Sequence, residues 1–111
     1  MKIDHQTLGT VDVYVPIGAL VDEDAERARD HLLAQAEGLS PRFVVGMEEV
    51  PYMDSAALEG LLSVADTLQS RGVRLKLVGV NATCREIFEI TGLANHFQYF
   101  ESVEDAVRSF L

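Results

Sequence analysis

The residues best suited to chemistry lie in the run Tyr52-Met53-Asp54-Ser55-Ala56-Ala57-Leu58-Glu59. An aspartate and a serine stand where an apolar run turns helical. A serine at a helix start has two uses. Its hydroxyl can accept free backbone N–H groups as a cap. It can also carry a phosphoryl group, which gains from the helix dipole and brings about two negative charges beside Asp54 and Glu59. A helix that docks a partner would then be blocked by charge and bulk while the fold survives. Spacing alone favours the cap.

Other constellations carry less. The nucleophile elbow Gly-x-Ser-x-Gly is absent, and His5, His31 and His96 fall in segments with no evident reason to converge on Ser55, as a hydrolytic triad would require. Gly18, Gly46, Gly60, Gly79 and Gly92 are isolated, so they read as turns and caps and not as a phosphate-binding loop. Glu48, Glu49 and Asp54 share one loop, which reads as solvated and acidic. Cys84 lies between apolar helical positions and reads as a small core residue. No Cys/His cluster suggests a metal, and no cofactor is expected.

The elements that must position Asp54 and Ser55 follow from hydrophobic period. Ile3 to Leu8 and Val11 to Ile17 read as two strands around Gly9-Thr10, the second with apolar residues at every other position. Asp22 to Glu37 is helical in pattern, with three acids in its first turn. Arg42 to Val45 reads as a buried strand, and Ser55 to Gln69 as a helix with Leu58, Leu61, Leu62, Ala65 and Leu68 on one face. Arg74 to Val80 is the next strand. Asn81 caps a third helix running through Thr91. His96 to Phe100 is a last short strand, and Ser102 opens a helix to Leu111 with an acid three residues on. The order β-β-α-β-α-β-α-β-α predicts a mixed, mainly parallel sheet with packed helices.

The chain has 111 residues, 18 acidic against 9 basic, and a formal net charge of −9. That length suits one domain, residues 1–111, with one core. So acidic a surface repels phosphate backbones and anionic lipid, and no basic patch offsets it, so neither nucleic acid nor direct membrane insertion is expected. A single cysteine excludes an intrachain disulfide, and the first residues, "MKIDHQTLGTVDV", lack a signal-peptide core. A cytoplasmic location is expected.

Several motifs together have a further meaning: "EEVPYMDSAAL" over Glu48 to Leu58, the Gly72 turn, the strand Leu75 to Val80, and "FEITGL" over Phe88 to Leu93. In that combination the chain resembles the STAS domain family, especially the bacterial anti-sigma factor antagonists, over nearly its whole length. The resemblance implies an α/β fold with about five strands and about four helices packed on one side. It also implies a role. Such antagonists bind an anti-sigma factor that is itself a serine kinase of histidine-kinase-like ATPase fold. The kinase phosphorylates the serine after the motif aspartate and the complex separates; a phosphatase resets it. Carried over, Ser55 is the phosphoacceptor, and the partner surface comprises Glu48, Glu49, Tyr52, Met53, Asp54, Ser55, Ala56 and Glu59. The protein would be a kinase substrate and not an enzyme. Three positions depart from the pattern. Ala57 and Gly46 stand where many members have Gly and Asp or Asn, and Val21 stands near a common acid, with Asp22 one place later. An alternative within the family is a scaffold or assembly subunit of a signalling complex or lipid transporter, which would not need Ser55.

Overall fold

The computed structural model describes residues 1–111. Two seven-residue strands, β1 (Lys2–Leu8) and β2 (Val11–Ile17), form an antiparallel hairpin. Gly9 turns it with φ +63°, a left-handed conformation that only glycine adopts at little cost. Three βα steps follow: α1 (Asp22–Ala36), β3 (Phe43–Gly46), α2 (Ser55–Gln69), β4 (Leu75–Val78), α3 (Ala82–Ile90) and, after a 3-10 turn at Ala94–His96, β5 (Phe97–Phe100). The chain closes with α4 (Val103–Arg108). The strands lie in chain order, β1-β2-β3-β4-β5, with every pair after the first parallel. The mixed, mainly parallel sheet expected from the sequence is therefore present, with five strands and four helices.

The order decides which face each helix takes. Each of α1, α2 and α3 joins two neighbouring parallel strands, and each step moves the chain in the same direction. Right-handed crossovers then place all three helices on one face, the front. There Leu32, Ala36, Leu61, Val64, Leu68 and Phe88 close the main core over Tyr14, Val45, Leu75 and Leu77. α1 and α2 pack closely where Gly60 faces Arg29; a Cβ on Gly60 would stand 2.9 Å from that of Arg29.

One expectation is corrected: the helices do not all lie on one side. α4 crosses to the back face, where Ala106 packs on Val11, Val44 and Val78. It is the last element and joins no further strand, so the crossover rule does not constrain it. The middle of the sheet needs the cover. Phe43 to Gly46 and Leu75 to Val78 are buried at every position, as in parallel strands covered on both faces. Lys76 is the one charged residue of that buried set, 7% exposed beneath α4. Its ammonium donates to Gln98 Oε1 at 2.8 Å and lies 4.6 Å from the centre of the Phe110 ring. Burial lowers its pKa, with Arg74 adding to the effect.

Candidate functional site

Parallel strands deliver their following loops to one end of the sheet, and there the segments 18–22 and 47–54 run side by side. Leu20 pairs with Met53 in an isolated parallel bridge. Gly18 N–H donates to Glu49 C=O at 2.9 Å, Leu20 N–H to Tyr52 C=O at 2.9 Å, and Asp54 N–H to Leu20 C=O at 3.0 Å. The 47–54 segment is also held from its other flank. Asn81 caps α3 through Cys84 N–H, and its amide donates to Val50 C=O at 3.2 Å and Pro51 C=O at 3.3 Å. The buried Cys84 thiol lies 3.7 Å from Val50 C=O, and burial raises its pKa. The loop leading to Ser55 is thus clamped between the entries to α1 and α3.

Asp54 ends this loop and caps two helices. Its Oδ1 accepts the N–H of Ala57 at 3.0 Å, closing the first turn of α2. Its Oδ2 accepts the N–H of Asp22, the first residue of α1, at 2.8 Å. Val21 occupies the N-cap of α1 and has no side-chain oxygen to offer, so Asp54 supplies an acceptor from across the site. Asp22 adopts φ +51°, in the left-handed region and unusual for a side chain of its kind. These backbone donors, Asp22 first and Ala57 second, hold the Asp54 carboxyl below its ordinary pKa.

Ser55 therefore does not cap α2. It is the first helical residue, solvent-exposed, with its hydroxyl left free. The capping role that spacing favoured for Ser55 belongs to Asp54, one residue earlier. Ala56 and Glu59 are exposed beside it, Glu59 one helical turn on, and Tyr52 is 51% exposed on the adjoining loop. These residues form one accessible surface. Met53 does not belong to it: its side chain is 1% exposed and lies in the main core, because it alternates inward beside Leu20. Glu48 and Glu49 are exposed but turn to the back face. The Glu48 carboxylate lies over Gly46, 2.9 Å from where a Cβ would stand, and Glu49 lines a groove with Val15 and Ile17. Gly46 thus makes room for Glu48. Ala57 is buried against the core at 3% exposure.

No histidine approaches Ser55 through these contacts. His5 bonds Asp12 at 2.8 Å and stacks on Tyr14, and His31 meets the edge of the same ring. Asp12 lies at the opposite end of β2 from Gly18. His96 ends the 3-10 turn before β5. No group of His, Cys, Asp and Glu is arranged to hold a metal. No helix is long and apolar enough to cross a membrane.

A family model described as the STAS domain matches residues 2–106. The chain belongs to the STAS domain family. BtrV of Bordetella bronchiseptica, a relative named as an anti-sigma factor antagonist, is 31% identical over 93 residues, covering 84% of this STAS domain and 80% of BtrV. The crystal structure of TM1081 from Thermotoga maritima superposes with a TM-score of 0.87 at 16% identity, over 96% of this chain and 92% of that one. The phosphorylated form of the Bacillus cell fate determinant SpoIIAA superposes with a TM-score of 0.76 at 19% identity, over 99% of this chain and 100% of that one. At such identities the STAS fold is what is shared with the solved structures.

Sequence reasoning located the Asp54–Ser55 pair but missed Asp22, whose contribution is a backbone N–H. No side-chain pattern marks such a donor. The hint available was Val21, a residue unable to cap, directly before a helix rich in acids.

Proposed function

We propose that this STAS domain is an anti-sigma factor antagonist whose binding is switched by phosphorylation of Ser55. The observation that carries the proposal is the free, exposed hydroxyl of Ser55 at the first position of a 15-residue helix, with the capping already done by Asp54. A kinase can remove that hydroxyl's proton and attach a phosphoryl group without unmaking a cap. The family membership and the name of BtrV support the antagonist role. SpoIIAA, of the same fold, exists in both unphosphorylated and phosphorylated forms.

In the unphosphorylated state the partner, an anti-sigma factor serine kinase, docks on Tyr52, Asp54, Ser55, Ala56 and Glu59. The kinase transfers the γ-phosphoryl of ATP to Ser55 Oγ; the β–γ bridging bond breaks and ADP leaves. The product carries about two negative charges in the middle of the docking surface, beside Asp54 and Glu59. The backbone N–H groups and dipole of α2 partly offset that charge within the domain, so the fold persists while the complex separates. A phosphatase restores the hydroxyl. The domain acts as substrate and ligand of the kinase, in the cytoplasm, and regulates sigma-factor-dependent transcription without catalysis of its own.

Incubating the purified domain with the anti-sigma factor kinase of its host and ATP tests this. Intact-mass analysis should show one added phosphoryl group, mapped to Ser55 by peptide fragmentation and absent from Ser55→Ala. Phosphorylation elsewhere, or none, would refute the switch.

A further inference from the structure

Three backbone N–H groups open α2. That of Ala57 is held by Asp54 Oδ1, while those of Ser55 and Ala56 bond no acceptor in the domain, as the first residues of a helix leave them. Neither 18–26 nor 47–66 contains a lysine or arginine. Arg29 lies further along the two helices, beside Gly60, with its guanidinium on Asp30. A phosphoryl group on Ser55 therefore meets no cation within these segments. The donors in its reach are the three N–H groups, and an anion tethered at the first helical position is drawn to them.

Asp54 competes for one of those donors and carries the same sign of charge on the adjacent residue. Repulsion and competition both act on its Oδ1. An aspartate that capped only α2 would be left without a partner. Asp54 has a second donor on another helix: its Oδ2 accepts Asp22 N–H at 2.8 Å. Of its two donors, Asp22 does the more to stabilise the ionised carboxylate. The two segments stay joined whatever the carboxylate does. The Leu20–Met53 bridge and the bond from Asp54 N–H to Leu20 C=O at 3.0 Å are made by backbone alone. They keep the side chain of Asp54 at the start of α1.

The geometry points to a hand-over of the cap: once Ser55 is phosphorylated, its phosphoryl oxygens accept the N–H groups of Ser55, Ala56 and Ala57, and Asp54 remains on Asp22 as the cap of α1 alone. The inference rests on the phosphorylation of Ser55 proposed above and adds how the domain receives the charge. Ser55, idle as a cap when unmodified, becomes one. The pairing of Asp54 with two helices is what allows this, because the carboxylate displaced from α2 still has a donor. The first turn of α2 changes its acceptor, α1 keeps its own, and the altered charge is confined to the docking surface.

The test uses the full chain with phosphoserine installed at position 55 during synthesis, so that no kinase is involved. Amide hydrogen exchange is followed by NMR in the unmodified and the phosphorylated domain, each with Asp54 and with Asp54→Ala. In the unmodified domain Asp54→Ala should speed exchange of the Ala57 and Asp22 amides at least fivefold. In the phosphorylated domain it should speed Asp22 as before and leave Ala57 within twofold. Equal acceleration of Ala57 in both domains would overturn the hand-over, as would acceleration of Asp22 by phosphorylation alone. Should Asp54→Ala fail to fold by circular dichroism, the phosphorylated parent decides. A scalar coupling across the hydrogen bond between the Ala57 nitrogen and the phosphorus is expected, and its absence would overturn the inference. A kinase that leaves Ser55 unmodified refutes the switch without altering this exchange pattern, so the two failures are told apart.

Discussion

Asp54 Oδ2 accepts the backbone N–H of Asp22 at 2.8 Å, across 32 residues of chain. Because the other carboxylate oxygen accepts from Ala57, one side chain sets the start of both α1 and α2. The arrangement leaves Ser55 without a structural duty. In the proposed switch, the aspartate of the pair is the structural member and the serine the chemical one.

Truncating Asp54 should therefore loosen two helices. Asp54→Ala leaves two N–H groups without their acceptor and should lower the thermal midpoint by several degrees. Asp54→Asn can accept one N–H but turns its own amide toward the other, so its midpoint should fall between parent and alanine variant. Ser55→Ala should leave the midpoint within about a degree, because helix propensity changes little and no cap is lost. Differential scanning calorimetry of the three variants checks this ranking.

The same contacts imply a pH dependence. Asp54 has a folded-state pKa below its unfolded value, so its ionised form stabilises the native state. That contribution is complete above the ordinary carboxylate range, near pH ~4. It is lost as pH falls through the lowered native value. The stability gap between parent and Asp54→Asn, measured by urea unfolding, should be constant from pH 7 to about 5 and shrink below about pH 4.

Asp22 is held at φ +51°. A left-handed backbone costs an L-residue about 1 kcal/mol, while glycine adopts it readily. The Asp22 N–H that bonds Asp54 survives substitution. Asp22→Gly should then match or exceed the parent in stability, and Asp22→Val should lose about 1–2 kcal/mol, since a β-branched side chain tolerates this region least. Urea unfolding midpoints decide between these.

Lys76 is buried beneath α4 with Gln98 and two aromatic rings but no carboxylate. Its native pKa lies below the unfolded value because burial penalises the ammonium. The unfolded chain binds the proton more tightly, so stability should rise with pH between the lowered native pKa and about 10.4. Lys76→Met keeps the packing, removes the charge, and should be at least as stable as the parent at pH 7. The advantage of the variant should diminish as pH increases through that window, which parallel denaturation curves would show.

Much of this architecture is legible in the residues. The alternation over Val11 to Ile17 and the helical period from Ser55 to Gln69 mark elements whose bounds match the structure, because each lays a continuous apolar face on one core. The strand read over Arg74 to Val80 is shorter, Leu75–Val78, since Gly79 turns away at φ +68°. The last helix ends at Arg108 and not at Leu111. The back-face position of α4 was not legible from its composition; it answers the need of β3 and β4, apolar on both sides, for cover on the face that the three crossovers leave open. The direction of Glu48 and Glu49 was hidden too, because only the missing side chains of Gly46 and Gly79 open the back face to Glu48. The resemblance puts Met53 on the partner surface, yet its pairing with Leu20 continues the strand alternation and turns it inward.

Ser55 is proposed to govern a protein contact. Parent and Ser55→Asp domains, immobilised as baits in lysate of the native host, test it most directly when bound proteins are identified by mass spectrometry. A kinase of the histidine-kinase-like ATPase fold should be retained by the parent and lost from Ser55→Asp, with Ser55→Ala retaining it in the presence of ATP. Equal retention of the same proteins by parent and Ser55→Asp would contradict it, and would favour an assembly role in which Ser55 carries no signal.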